Sequence, residues 1–128
     1  MEQQQSARGD MLLHGKKVLV VEDRYLIARD LCRVVQALGG EAVGPAGDVE
    51  SAQRSVEQVR VDLALVDLNL RNESATTLIR QLARQGIPFI LATGYQDWVL
   101  PQELRGSPRV EKPVSARELR HVIKRLQQ

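Results

Sequence analysis

The chain has 128 residues, enough for one domain that buries a single hydrophobic core without disulfides. Hydrophobic residues make up 43% and charged residues 27% of the sequence, which is typical of a folded globular protein and excludes a largely disordered chain. The net charge of +2 arises from 18 basic and 16 acidic side chains, without a basic block and with few aromatic residues. The composition therefore does not predict a nucleic-acid-binding surface.

The cysteine content and the hydropathy exclude further classes of protein. Cys32 is the only cysteine, so an internal disulfide is excluded, and its place in an apolar helical pattern favours a small buried side chain over a reactive thiol. No apolar stretch approaches the roughly 18 residues that a membrane-spanning helix needs, and the N-terminus lacks signal-peptide character. We therefore expect a soluble, cytoplasmic protein without a membrane partner.

Short apolar runs alternate with segments of helical periodicity along most of the chain. Residues 1–15 precede this pattern and are polar and glutamine-rich, so we expect a flexible N-terminal extension followed by one domain over residues 16–128. Pro45 suits an edge strand better than a central one. The apolar runs predict five strands, at residues 17–21, 42–46, 61–67, 87–92 and 109–111.

Apolar residues at helical spacing predict helices between and after these strands. Between residues 95 and 108 there is room for only one short helix, around residues 98–104, which Pro101 interrupts. The other helices carry start or stop signals: Gly39-Gly40 after the first, Asp48 before the second, Ser74 before the third, and a capping box of Ser115 and Glu118 before the last.

Five successive strand–helix units predict a parallel sheet with helices on both faces and right-handed crossovers. At this length the natural arrangement is an α/β, flavodoxin-like, doubly wound sheet of five strands in the order 2-1-3-4-5, with a short or irregular fourth helix.

Charged and polar residues follow the predicted strands at their carboxyl ends, which share one edge of a parallel sheet. They are Glu22 and Asp23 after the first strand, Asp67 and Asn69 after the third, Thr93 after the fourth and Lys112 after the fifth. Three carboxylates in one cleft repel one another and call for a cation, and oxygen ligands with open positions suit Mg²⁺. The lysine and the hydroxyl add what an oxygen-rich anion such as a phosphoryl group needs.

The chemistry that this set supports is covalent attack of an aspartate on phosphorus. Asp67 is the best nucleophile because its strand is central. Glu22 and Asp23 would hold the metal together with Asp67, and the backbone carbonyl of Asn69 could add a further ligand.

The segments 20–23, 65–69, 92–94 and 111–113 together resemble the receiver domain of bacterial two-component response regulators, which is CheY-like. The resemblance covers most of the chain from about Lys17 to Leu126. It implies that a histidine kinase or a histidine phosphotransfer protein phosphorylates Asp67 with Mg²⁺ bound, that Thr93 is the switch hydroxyl and that Lys112 contacts the phosphoryl group. It also implies a cis peptide bond between Lys112 and Pro113.

Residues 87–95 are similar to the motif of the FATGUY single-domain response regulators, with Leu91 in place of the usual phenylalanine. The partners of those regulators are often kinases of the HWE or HisKA2 type. By this resemblance we expect a stand-alone regulator that acts by protein contact or phosphorelay, and that catalyses at most its own phosphorylation and dephosphorylation.

One position departs from the receiver pattern. The aromatic residue that lies three positions before the lysine in ordinary receivers is replaced by Arg109. We therefore expect signalling to depend on residues 95–108, which would become ordered on phosphorylation.

Two other functions are compatible with part of the pattern. A pseudo-receiver would bind partners without functional phosphorylation, but it would be expected to lack at least one of the site residues. A small phosphohydrolase with an aspartate nucleophile usually carries a general acid two residues later, where this chain has Asn69.

Overall fold

The computed structural model describes residues 11–70, 73–94 and 100–127. Its elements, in chain order, are Lys17–Val21 (β1), Tyr25–Ala37 (α1), Glu41–Ala46 (β2), Val49–Gln58 (α2), Leu63–Asp67 (β3), Asn69–Leu70 (β4), Glu73–Ser74 (β5), Thr76–Arg84 (α3), Phe89–Thr93 (β6), a 3-10 helix at Gln102–Leu104, Arg109–Glu111 (β7) and Ala116–Leu126 (α4).

Five strands form a parallel sheet in the order β2-β1-β3-β6-β7. This is the predicted flavodoxin-like order, because β4 and β5 form a separate two-stranded antiparallel hairpin and do not join the sheet. β2 lies at the edge, as Pro45 in its sequence predicted. The β4–β5 hairpin was not predicted, because strands of two residues are too short to show a period.

Each face of the sheet has its own apolar core, because side chains alternate between the faces along a strand. Leu19, Val66 and Leu91 pack on one face with residues of α2 and α3. Val20 and Leu65 pack on the other face with residues of α1 and α4. The central strand β3 is buried along its whole length, which explains its unbroken apolar sequence before Asp67.

The packed part of the domain begins a few residues before the boundary predicted at residue 16. Leu13 is only 3% exposed, and its N–H donates to the Leu38 carbonyl at 2.8 Å. Gly39 ends α1 with a φ of +88°, and a Cβ at this position would lie 2.9 Å from Met11 Sδ. Residues 1–10 of the predicted extension lie outside the described residues, so flexibility there stays a prediction.

The predicted helix caps are only partly correct. Asp48 Oδ1 accepts from the Ser51 N–H at 2.7 Å, as predicted. Ser115 Oγ accepts from the Glu118 N–H at 3.1 Å, but the Glu118 carboxylate accepts from the Glu111 N–H instead of closing the capping box. The N-cap of α3 is Ala75 and not Ser74, which belongs to β5. The Ser74 hydroxyl still accepts a hydrogen bond from the Thr76 N–H at 3.2 Å.

The described part of the segment after β6 is a single short turn. The predicted helix around residues 98–104 is present there only as the 3-10 helix Gln102–Leu104, with Pro101 at its N-cap. Leu100 and Leu104 are buried in the core next to α3. Residues 95–99, including the tryptophan of the predicted helix, lie outside the described residues.

Within the described ranges, no helix combines the length and the apolar character that crossing a membrane would require.

Candidate functional site

The predicted site residues meet at the carboxyl edge of the sheet. The register of the parallel strands aligns their carboxyl ends. Val21 pairs with Val66, Asp67 with Ala92, and Thr93 with Glu111. The residues that end or directly follow these strands therefore lie together at neighbouring strand ends.

Three carboxylates form the floor of this cleft. One oxygen from each of Glu22, Asp23 and Asp67 lies within 4.8 Å of the other two. Glu22 and Asp67 are 2% and 4% exposed, while Asp23 is half-buried. The buried position of Glu22 is fixed by its backbone N–H, which donates to the Ala46 carbonyl at 2.9 Å, and by its Oε2, which accepts from the Arg24 N–H at 3.0 Å.

Lys112 supplies the positive charge at this site. Its ammonium nitrogen lies 2.7 Å from Glu22 Oε1 and 3.1 Å from Asp67 Oδ1. The backbone N–H of Lys112 donates to the Thr93 carbonyl at 2.8 Å, and this bond fixes the start of the β7–α4 loop. The Lys112–Pro113 peptide bond is cis, which confirms the prediction; Gly44–Pro45 is also cis and was not predicted.

Asn69 and Thr93 complete the set. The Asn69 N–H donates to Asp67 Oδ1 at 3.2 Å, so the backbone of residue 69 lies beside the central carboxylate. The Thr93 hydroxyl is buried and donates to the Val110 carbonyl at 3.3 Å. All six predicted site residues thus lie at one strand edge, with Thr93 directed to β7 and not to Asp67.

Burial and charge set the protonation of the central pair. Desolvation raises the pKa of Asp67 to about 6, although the Lys112 ammonium and the Asn69 N–H act in the opposite direction. For Lys112, burial lowers the pKa, but its hydrogen bond to Glu22 and the charge of Asp67 outweigh burial and leave the pKa above its usual value. The central carboxylate is therefore poorly neutralised by the lysine alone.

The carboxylates fit a divalent cation. Three ionised carboxylates and one ammonium group carry a formal charge of −2, and an oxygen-rich cluster of this kind suits a hard cation such as Mg²⁺. The carboxylate oxygens supply the ligands, and the Lys112 ammonium group alone does not balance their charge.

A cleft of about 660 Å³ is lined by Asp67 and by residues of α1 and of the loop after β7. Its lining is mixed, with apolar side chains such as Ile27 and Leu31 next to the charged Arg24, Asp30 and Arg33. The first turn of α1 also exposes two large apolar side chains, Tyr25 (74% exposed) and Leu26 (68%). This surface was not predicted from the sequence, although a tyrosine and a leucine shortly after the acidic pair are a local signal for it.

The sequence matches the response regulator receiver domain family over residues 18–124. The chain belongs to this family. Receiver domains are in general phospho-acceptors that interact with histidine kinases or phosphotransfer proteins within two-component systems.

Curated and structural relatives agree with this assignment. The receiver is 39% identical over 106 residues to the sensory transduction protein RegX3 of Mycolicibacterium smegmatis, covering 80% of this chain and 46% of RegX3. The solution structure of SdrG from Sphingomonas melonis matches with a TM-score of 0.80 and 32% identity, over 88% of this chain and 97% of SdrG. The anti-anti-sigma factor PhyR of Bartonella quintana matches with a TM-score of 0.78 and 26% identity, over 97% of this chain and 52% of PhyR.

The receiver therefore spans about half the length of RegX3 and PhyR and nearly all of SdrG. SdrG has also been solved in a BeF3-activated conformation, which matches with a TM-score of 0.76 and 32% identity over 88% of this chain and 96% of that one.

Proposed function

We propose that this receiver accepts a phosphoryl group on Asp67 from a histidine kinase or a histidine phosphotransfer protein, in a reaction that requires Mg²⁺. One observation carries the proposal: the Asp67 carboxylate is buried at the centre of the strand edge, 3.1 Å from the Lys112 ammonium and within 4.8 Å of two further carboxylates. A carboxylate in this setting is both a nucleophile and part of a cation site.

The reaction is a displacement at phosphorus. An oxygen of Asp67 forms a bond to phosphorus while the bond from phosphorus to the donor's imidazole nitrogen breaks, and the imidazole takes up a proton. Asp67 must be ionised for the attack, so its raised pKa favours reaction above about pH 6 and once positive charge has gathered at the site.

Each neighbouring residue has a role in this step. Lys112 contributes a fixed positive charge to the phosphoryl oxygens, which develop negative charge as the donor bond breaks. The Asn69 N–H, 3.2 Å from Asp67 Oδ1, holds one carboxylate oxygen and so leaves the other as the attacking atom. Thr93 is the hydroxyl within this strand edge that would engage the phosphoryl group after transfer, in exchange for its bond to the Val110 carbonyl.

Mg²⁺ would be held by Glu22, Asp23, Asp67 and the Asn69 backbone carbonyl. When bound it supplies charge neutralisation for the phosphoryl oxygens and the carboxylates.

The phosphoryl donor would dock on the cleft along α1. Asp67 lines this cleft together with apolar and charged residues of α1 and the Lys112–Val114 segment, and Tyr25 and Leu26 are exposed in the first turn of the same helix. A partly apolar cleft that Asp67 itself lines fits a helical donor that presents a phosphohistidine.

Incubation with Mg²⁺ and acetyl phosphate, followed by intact mass measurement, tests the proposal. We expect one added phosphoryl group on the wild type, none on Asp67→Asn and none when EDTA replaces Mg²⁺. Asp30→Asn is the matched control, because Asp30 is an exposed aspartate that lines the same cleft, and it should be modified like the wild type.

An unmodified wild type, with a phosphorylated histidine donor also failing, would contradict the proposal and favour a pseudo-receiver. A stand-alone mode of action, membership of the FATGUY group and a kinase of the HWE or HisKA2 type stay predictions.

A further inference from the structure

The short hairpin β4–β5 is attached to the start of α2 by one side chain. Glu73 Oε1 accepts a hydrogen bond from the Val49 N–H at 2.8 Å. Val49 is the first residue of α2, and Asp48 Oδ1 separately accepts from the Ser51 N–H. The Glu73 carboxylate thus accepts from the Val49 N–H at the start of α2, to which the Asp48 cap does not bond.

This bond joins the two loops that border the acidic cluster. On the α2 side, the Ala46 carbonyl accepts from the Glu22 N–H at 2.9 Å, and a Cβ placed on Gly47 would lie 3.8 Å from Asp23 Cα. This end of β2 is therefore hydrogen-bonded to Glu22, and the β2–α2 loop passes close to Asp23.

On the hairpin side, the path leads to Asp67. Glu73 pairs with Leu70, and Ser74 pairs with Asn69, whose N–H donates to Asp67 Oδ1 at 3.2 Å. The Ala75 N–H donates to the Leu68 carbonyl at 3.1 Å and closes the base of the hairpin. The Glu73–Val49 bond adds an attachment to α2 nearer the tip of the hairpin, where the bond at the base cannot hold it.

We propose that Glu73 is a positioning residue for the cation site. By holding the hairpin to the β2–α2 loop, it fixes the Asn69 backbone relative to Glu22 and Asp23 and so sets the affinity for Mg²⁺. The inference rests on the proposed function, because Mg²⁺ is the cation that the phosphoryl transfer would require. Glu73 is exposed and has no direct role in the chemistry.

Isothermal titration of the full chain with Mg²⁺ tests the inference without any phosphoryl donor. We expect Glu73→Ala to raise the dissociation constant about three- to tenfold, the equivalent of one lost hydrogen bond. Glu73→Gln keeps an acceptor oxygen for the Val49 N–H and should stay within about twofold of the wild type on the same scale.

Asp48→Ala is the control for helix stability. It removes a cap from the same helix but leaves the hairpin bond in place, so it should lower the melting temperature without weakening Mg²⁺ binding. In the metal-free protein, amide exchange at Asn69 should be faster in Glu73→Ala and unchanged in Asp48→Ala.

Three results would overturn the inference. Glu73→Ala could bind Mg²⁺ like the wild type, Glu73→Gln could be as weak as Glu73→Ala, or Asp48→Ala could be equally weak. A wild type that binds no Mg²⁺ would overturn both this inference and the proposed function. A wild type that binds Mg²⁺ more tightly than Glu73→Ala but is never phosphorylated would contradict the proposed function alone.

Discussion

The ammonium nitrogen of Lys112 lies closer to Glu22 Oε1, at 2.7 Å, than to Asp67 Oδ1, at 3.1 Å. Glu22 therefore helps to hold the Lys112 ammonium group within ion-pair distance of Asp67. The same ammonium group occupies the carboxylates that a divalent cation would bind.

Replacement of Lys112 should separate cation binding from phosphorylation. In Lys112→Met we expect Mg²⁺ to bind severalfold more tightly, because no ammonium group competes for Glu22 and Asp67, while phosphorylation by acetyl phosphate slows at least about tenfold, since charge stabilisation is lost. Calorimetry and intact mass measure the two effects. Lys124→Met, at an exposed lysine of α4, is the control. Weaker Mg²⁺ binding in Lys112→Met would contradict this role of the lysine.

The raised pKa of Asp67 predicts a pH-dependent gain in stability for Asp67→Asn. Below the ordinary pKa of 3.8 the carboxyl group is neutral in both the folded and the unfolded chain and has no effect. Between pH 3.8 and about 6 the carboxyl group is ionised in the unfolded chain but protonated in the folded one, so the wild type loses stability relative to the variant over this range, and the full loss is present above it. In EDTA at pH 7.5 we expect the variant to unfold with a free energy about 1–3 kcal/mol higher.

Urea unfolding at pH 7.5 and pH 5 measures this difference, and Asp30→Asn again serves as the control. The gain should shrink at pH 5 and should be offset by saturating Mg²⁺, which stabilises only the wild type. A gain that is larger at pH 5 than at pH 7.5 would show that burial does not raise the pKa of Asp67.

The Thr93 hydroxyl should matter for the response to phosphorylation more than for the reaction itself. Thr93→Ala loses one buried hydrogen bond to the Val110 carbonyl, so we expect a loss of about 1 kcal/mol in stability and nearly normal phosphorylation. Changes in hydrogen exchange after addition of beryllofluoride should disappear in Thr93→Ala and return in Thr93→Ser. Equal changes in Thr93→Ala and the wild type would remove Thr93 from the signalling path.

Residues 96–106 should gain hydrogen-exchange protection when beryllofluoride and Mg²⁺ are added. In the described part of this segment, Arg80 of α3 binds both carboxylate oxygens of Glu103, at 2.7 and 3.0 Å. We expect Arg80→Ala to lower the protection before and after addition, and Asp67→Asn to show no response at all. Equal protection of the wild type in both states would contradict the idea that this segment reports phosphorylation.

The sheet, and the site residues at its carboxyl edge, could be predicted from the sequence because both depend on local patterns. An unbroken apolar run before Asp67 marks a strand buried on both faces, and a polar residue after each strand marks the shared edge. The hairpin could not be predicted in this way, since its strands of two residues are too short to show a period. The Glu73–Val49 bond could not be predicted either, since it joins residues 24 positions apart. Leu13 falls within the predicted extension because nothing near it in sequence reveals its contact with Leu38.

The most direct test of the central claim is to locate the phosphoryl group. Borohydride reduces an aspartyl-phosphate to homoserine, so reduction of the phosphorylated receiver followed by peptide mass spectrometry should place homoserine at position 67, and none should form in Asp67→Asn. Stable phosphate on His14 or His121, or reduction at Glu22 or Asp23 in place of Asp67, would contradict the assignment of Asp67 as the phosphoryl acceptor.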